Sequence, residues 1–359
     1  SRGRLQARHL RPNAAYSQGS NERLALPYLM TEVLMHSKFC FFSIVLLFVL
    51  SISVSLRAQH SLKVREGYLE GADNLRLYYR IVGSAPDTIV AVHGGPGAGM
   101  NAFLPDMQPL AQSHTIIFYD QRGGGRSELP PDTTRLDAHF FIEDLEAVRH
   151  HFGLSHMTIV AHSFGAILVA RYMQSFPKRV ERLVFLGATG PKRTEAAKLA
   201  QKRYAEMDST TLKRLSELIH SLLSGTAVDP VAACREYENI LDDLASKRGE
   251  ANTWRGTTCE ASPEAVEYYY RYTARITPAT FGDWDFTTEF HDITVPLLVV
   301  YGAQDSLALL QQHAWAQAFP NGRLLIVPKA GKGAIADRPD LVLPALESFF
   351  EGKWPEGAR

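Results

Sequence analysis

Three cysteines in 359 residues are too few for a disulfide scaffold. Neither sign of charge is in excess, because 38 Lys and Arg balance 38 Asp and Glu. No Lys/Arg stripe interleaved with aromatics runs along the chain, so nucleic-acid binding has no support. No internal repeat or low-complexity tract is present, which sets aside repeat architectures. Long uncharged apolar runs are also scarce. The exception is Phe39 to Leu56, FCFFSIVLLFVLSISVSL. With Lys38 before it and Arg57-Ala58-Gln59 after it, the run reads as a signal peptide beginning at Met35. Its length also reaches the lower range of a membrane span, so an uncleaved anchor through 39–56 is the alternative. Ala58 suits a cleavage site, whereas Leu56, two residues earlier, does not. The chain is therefore expected to be exported, to a periplasmic or extracellular location, or held at a membrane by its N-terminal segment. Residues 1–34, polar and irregular, are set apart as an unassigned leader, and 35–58 as the signal peptide or anchor. In an oxidising compartment Cys234 and Cys259 have two readings, a disulfide or two buried thiols, while Cys40 would leave with the signal.

What is present is a rhythm of strands and helices. Tyr68-Leu-Glu70 and Leu75–Val82 read as two strands around a turn at Gly71–Asn74. Thr88–Val92, Thr115–Tyr119, Met157–Ala161, Arg182–Leu186, Pro296–Tyr301 and Arg323–Val327 are short apolar runs, as expected of strands buried on both faces. A helix is expected at about Phe140–Phe152 and another from Ala166. This alternation predicts an α/β fold, a mostly parallel sheet covered by helices on both faces. Between Lys192 and Asp292 the strands stop. That stretch is charged and helix-like from Glu195 to Leu223, then rich in aromatics such as Trp254, Tyr268–Tyr270 and Trp284. The core is thus assigned to 59–191 and 293–359, and 192–292 to a helical cap reading as a lid. The tyrosine run is expected to pack lid on body or to touch substrate.

The chemistry concentrates where strands end, at the carboxyl edge where sites of such sheets lie. Ser163, in Ala161-His-Ser-Phe-Gly165, sits on a sharp strand-to-helix turn, the form of a nucleophile elbow. Ala161 replaces the usual first glycine. A capping serine on an ordinary strand–turn–helix is the plainer reading. His93-Gly-Gly-Pro-Gly97 follows another strand, and its glycines let a backbone N–H approach a substrate carbonyl. The N–H groups of Gly95 and Phe164 would form an oxyanion hole, with Gly94 as the neighbouring candidate. Asp120–Ser127, DQRGGGRS, ends a third strand.

HGGPG, DQRGGGRS and AHSFGA, in this order, resemble the prolyl iminopeptidase branch of the α/β-hydrolases, over roughly Gly67 to Phe350. The resemblance implies an α/β-hydrolase fold with a helical cap, no cofactor and no metal, and a serine peptidase releasing N-terminal residues, often proline, from short peptides. It places the carboxylate of the charge relay at Asp305, in Tyr301-Gly-Ala-Gln-Asp305. At the position of its histidine this sequence has Lys332. The next candidate, His313, lies eight residues along a helix from Asp305, about 12 Å at 1.5 Å per residue. His162 is expected to point away from Ser163, and His93 to brace the oxyanion loop. A lysine takes a proton only as the neutral amine, and bringing an ordinary one from about 10.4 to 7 costs roughly 4 to 5 kcal/mol. Asp305 would oppose that, so an Asp305–Lys332 ion pair and impaired hydrolysis are expected. The resemblance also implies that acidic cap residues hold the substrate's amino group. Glu236, Glu238, Glu260, Glu264 and Glu267 are the candidates, with Trp254 beside them. An esterase or carbon–carbon hydrolase acting on a small ester, and a non-catalytic binding protein, are the rival readings.

Overall fold

The computed structural model describes residues 62–248 and 256–359. The expected leader, the signal or anchor segment, its Ala58 cleavage site, Cys40 and Trp254 lie outside the described residues. Among the described residues no helix is long and apolar enough to cross a membrane.

Among the described residues eight strands form one sheet: β1 Val64–Glu70, β2 Arg76–Val82, β3 Thr88–Val92, β4 Thr115–Tyr119, β5 Met157–His162, β6 Val180–Leu186, β7 Leu297–Gly302 and β8 Gly322–Val327. Their spatial order is β1-β2-β4-β3-β5-β6-β7-β8. The β1–β2 hairpin joins antiparallel, and the strands from β4 to β8 run parallel. The apolar runs read as fully buried strands because successive side chains enter opposite cores. On β3, Val90 and Val92 face one apolar cluster and Ile89 and Ala91 the other.

Helices cover each face. On the first lie α1 Ala138–His151, α2 Gly165–Ser175 and, after β7, a helix over Ser306–Ala318 that contributes Trp315. The second face takes Phe103, Met107 and Leu110, with Val342, Leu346 and Phe349 from the helix Pro339–Phe350. Between β6 and β7 come α3 Arg193–Ala205, α4 Ser209–Ser224, α5 Pro230–Lys247, α6 Pro263–Tyr268 and α7 Ala274–Thr280. The helices after β7 and β8 are then α8 and α9. Expected as one stretch, Glu195–Leu223 is two helices, because Asp208 accepts from Thr211 N–H and starts α4 afresh. α4 buries Leu215, Leu218 and Leu222 along one face, whereas α3 buries no residue at all.

Cys234 on α5 and Cys259 are joined by a disulfide, with Cα atoms 5.8 Å apart. Of the two readings of these cysteines, the structure has the pair. After α9 the chain returns along β8, where Leu324 and Arg359 exchange backbone bonds in both directions, at 2.8 and 3.1 Å.

Candidate active site

β5 ends in a turn whose tightness is set by backbone contact. Ser163 has φ of 53°, a left-handed conformation that costs a non-glycine residue about 1–2 kcal/mol. Three bonds hold it there: its N–H donates to Leu186 O (3.1 Å), and its carbonyl accepts from Ala166 N–H (3.2 Å) and Thr189 N–H (3.1 Å). A Cβ at Gly165 would lie 2.6 Å from Val92 O, so only glycine fits. A Cβ at Gly94 would lie 2.9 Å from Ser163 Cβ and 3.4 Å from its Oγ. The HGGPG loop therefore runs directly against the serine, where an oxyanion donor belongs.

That loop is bracketed from β4. His93 is buried; its Nδ1–H donates to Gly94 O (2.7 Å) and its Nε2 accepts from Gln121 N–H (3.1 Å). Burial lowers its pKa to about 4, which keeps it neutral in this tautomer. Gln121 returns two bonds, from Nε2 to His93 O (2.7 Å) and from Gly97 N–H to Oε1 (3.0 Å). Asp120 accepts from Met100 N–H (2.6 Å) and Arg126 N–H (2.8 Å). Burial still pushes it up to about 6, against those bonds and the Arg126 charge. Arg122, fully buried, makes a two-pronged pair with Asp144 on α1, both bonds at 2.7 Å. DQRGGGRS is thus a structural bracket. His93 braces the loop, as expected.

On the far side, the loops after β7 and β8 run side by side. Gly302 N–H donates to Gly331 O and Gln304 N–H to Ala330 O, both at 3.0 Å. Asp305, buried, accepts from Ala308 N–H at the start of α8 and from Tyr301 Oη (2.6 Å). The cation recorded on its carboxylate is Arg203 from α3, at 2.5 Å. Lys332 Nζ donates to Ser163 Oγ at 3.2 Å. Its backbone lies over Gly187, where a Cβ would come within 2.6 Å of Lys332 O and 3.2 Å of its Cγ. His162 turns to stack on Phe103, ring centroids 5.2 Å apart, and burial together with the Lys332 charge holds it neutral. His313 lies midway along α8.

The helical segment between β6 and β7 meets the same loops. Phe164 is gripped edge-on by Phe281 (5.2 Å) and Trp284 (5.8 Å), and Thr273 Oγ1 donates to Gly123 O (2.8 Å). Its carboxylates have varied engagements. Glu236 is forked by Arg214, with both bonds at 2.6 Å. Glu267 takes Arg271 at 2.7 Å, one helical turn on. Glu238 takes the hydroxyls of Thr257 and Thr258 beside the disulfide. Glu264 lies in the first turn of α6. Glu260, exposed, borders a narrow crevice of about 20 Å³ with Asn101, Asp120 and Arg126. In the tyrosine run, Tyr268 Oη donates to Pro130 O (2.6 Å) and so packs segment on body, whereas Tyr270 is buried within the segment beside Leu222, Cys234 and Val266. Sequence reasoning did not single out Arg203, because α3 has no apolar stripe to orient it.

The sequence model of the alpha/beta hydrolase fold family matches residues 87–339. The chain is similar to a proline iminopeptidase of Saccharolobus solfataricus, 24% identical over 81% of this chain and 94% of the relative. One of Lacticaseibacillus rhamnosus is 25% identical over 80% of this chain and 99% of the relative. Among solved structures, a proline iminopeptidase of Mycobacterium smegmatis aligns with a TM-score of 0.58 at 18% identity, covering 80% of this chain and 98% of that one.

Proposed function

The chain belongs to the α/β-hydrolase fold family, and from that premise we propose that it is a slow serine hydrolase releasing the N-terminal residue, proline among them, from short peptides. The observation that carries this reading is the 3.2 Å contact between Lys332 Nζ and Ser163 Oγ. Ser163 attacks the carbonyl, and the N–H groups of Gly95 and Phe164 receive the developing oxyanion. Lys332 stands where the proton must go. As an ammonium it donates to Oγ and occupies the lone pair that would attack; as an amine it accepts the proton and passes it to the leaving amine. An ordinary lysine is an amine in only about 4 molecules in 10⁴ at pH 7. Turnover therefore rises about tenfold per pH unit until the lysine has titrated.

The helices between β6 and β7 act in this reading as the cap. Glu236 and Glu267 are engaged by arginines and Glu238 by two threonine hydroxyls; of the remaining Glu260 and Glu264, Glu260, beside the loop that follows HGGPG, is the carboxylate this reading assigns to the substrate's amino group. The Cys234–Cys259 disulfide suits export through the 39–56 segment, since such bonds persist in oxidising compartments.

The test is hydrolysis of a prolyl arylamide by the purified chain beside Lys332→His and Ser163→Ala. Expected are a slow rate that climbs with pH, a gain of two or more orders of magnitude at neutral pH in Lys332→His, and loss in Ser163→Ala. A fast rate at neutral pH overturns the impairment. Turnover of esters but not arylamides overturns the substrate class. Thermal stabilisation by a prolyl peptide with no turnover in any variant identifies a binding protein instead.

A further inference from the structure

We propose that Lys332 is a self-acylation site: the acyl group carried by Ser163 passes to Lys332 Nζ and remains there as an amide. The inference rests on Ser163 being the nucleophile of the proposed reaction. Three features of the site carry it. Nζ lies 3.2 Å from Ser163 Oγ, so it stands beside the carbonyl carbon of any ester formed on that oxygen. Its stem is confined: the Lys332 backbone rests on Gly187, Gly331 N–H is tied to Asp337 Oδ2 at 2.8 Å, and the neighbouring loop is bonded to the one after β7. The amine is therefore held in place. Finally, Arg203 pairs with Asp305, and among the described residues no imidazole is recorded bonded to Ser163 Oγ or Asp305 to activate a water for deacylation.

The order of proton transfers delivers Lys332 in its reactive form. Having taken the proton from Ser163 and given it to the leaving group, Lys332 ends acylation as an amine facing a fresh ester. Nζ attacks the ester carbonyl, the C–Oγ bond breaks, and the proton lost by nitrogen goes to Ser163 Oγ. One amide forms and one ester is consumed, with no other reactant. Magnitudes put this route in competition with hydrolysis, so the slow release of the residue dies away as Lys332 fills. Even an ordinary lysine at pH 7, about 4 parts in 10⁴ amine, has an effective concentration of tens of molar when positioned at an effective molarity of about 10⁵ M. That rivals the concentration of water, and an amine is the stronger nucleophile. The amide has no basic nitrogen, so a protein acylated in this way has lost its base and turns over no further.

The experiment treats the full chain with 4-nitrophenyl acetate in mildly alkaline buffer, follows nitrophenolate release, and maps acetylation by peptide mass with and without hydroxylamine, which cleaves esters and spares amides. Expected are nitrophenolate release that decays to arrest as Lys332 fills, and a hydroxylamine-resistant acetyl on Lys332 that Ser163→Ala lacks. Lys332→His keeps a base but has no amine to hold an acyl group, and is expected to show sustained nitrophenolate release with no hydroxylamine-resistant acetyl at the site, which checks the transfer should Ser163→Ala not fold. An acetyl that stays on Ser163 in the unaltered chain, or sustained turnover with Lys332 unmodified, overturns the transfer and leaves the nucleophile standing. Equal acetylation of Lys332 in folded Ser163→Ala also overturns the transfer. Absence of nitrophenolate release, with neither residue acetylated, overturns the nucleophile and the transfer together.

Discussion

Two groups of loops meet at Ser163 and are held in opposite ways. The loops after β3 and β4 are fixed by partners close in sequence: Gln121 to His93 at 28 residues, Met100 to Asp120 at 20, Arg122 to Asp144 at 22. Those after β7 and β8 take their decisive contacts from far away, Arg203 to Asp305 across 102 residues and Lys332 to Ser163 across 169. The near group is buried and fully bracketed, a rigid wall against which an oxyanion site can be built. The far group carries the acid and the base position, and its electrostatics depend on which distant cation arrives. Rigidity is thus encoded locally and reactivity remotely.

The sharpest way to break the comparison is Arg122→Met. It strands Asp144 as a buried unpaired carboxylate and should cost about 3–5 kcal/mol in urea unfolding, most of it recovered by adding Asp144→Leu. A loss under about 1 kcal/mol would mean the near group is not held by this bracket. Opening the disulfide with Cys234→Ser and Cys259→Ser frees a loop spanning 25 residues and should cost about 3 kcal/mol in the same assay.

A subtler test uses pH. His93 stays neutral to about pH 4 in the fold, so the unfolded chain binds the extra proton between 4 and 6.5, and this group makes stability rise with pH across that window. Asp120 keeps its proton to about pH 6, so the folded chain binds the extra one between about 4 and 6, and stability falls as pH rises. Each effect is worth about 3 kcal/mol, and they oppose. Asp120→Asn should therefore unmask a rise in stability across pH 4 to 6.5 that these two groups cancel in the unaltered chain.

The smallest effect is expected on the far side. Arg203→Gln removes a partly exposed cation from Asp305, which keeps Tyr301 and Ala308, and should cost about 1–2 kcal/mol. Combined with Lys332→His it should raise arylamide turnover above Lys332→His alone, because Asp305 becomes free to orient the imidazole. No gain would mean that Arg203 and a histidine do not compete for that carboxylate.

The near half was legible in the sequence for the same reason that it is rigid. Glycines that must lie against backbone, and polar residues that bracket them, sit within a few positions of a strand end. HGGPG, DQRGGGRS and the turn at Ser163 could thus be placed before any coordinates. Six of the strands were legible because burial on both faces leaves uninterrupted apolar runs, whereas the mostly exposed edge strand β1 could be read only over Tyr68–Glu70, its last three residues. What could not be read was set by contacts without a local signature. Arg203 lies on a helix with no apolar face, so no periodicity announced where it would point. Glu236 and Glu267 looked like candidates for an amino group until Arg214 and Arg271 arrived beside them. Lys332 was legible as a departure, but its reach to Ser163 was not, because the bend of its loop over Gly187 is a tertiary fact.

The return of the chain along β8 bears on solubility. β8 is the last strand of the sheet, and a bare outer strand offers its row of N–H and C=O groups to any other extended chain. Arg359 satisfies Leu324 in both directions, while Trp354 lies under the Arg323 guanidinium at 4.6 Å and against Phe349 at 5.2 Å. The segment 351–359 therefore acts as a guard against strand-to-strand aggregation. A protease that trims it should leave the site intact and yield a protein that assembles through its own sheet.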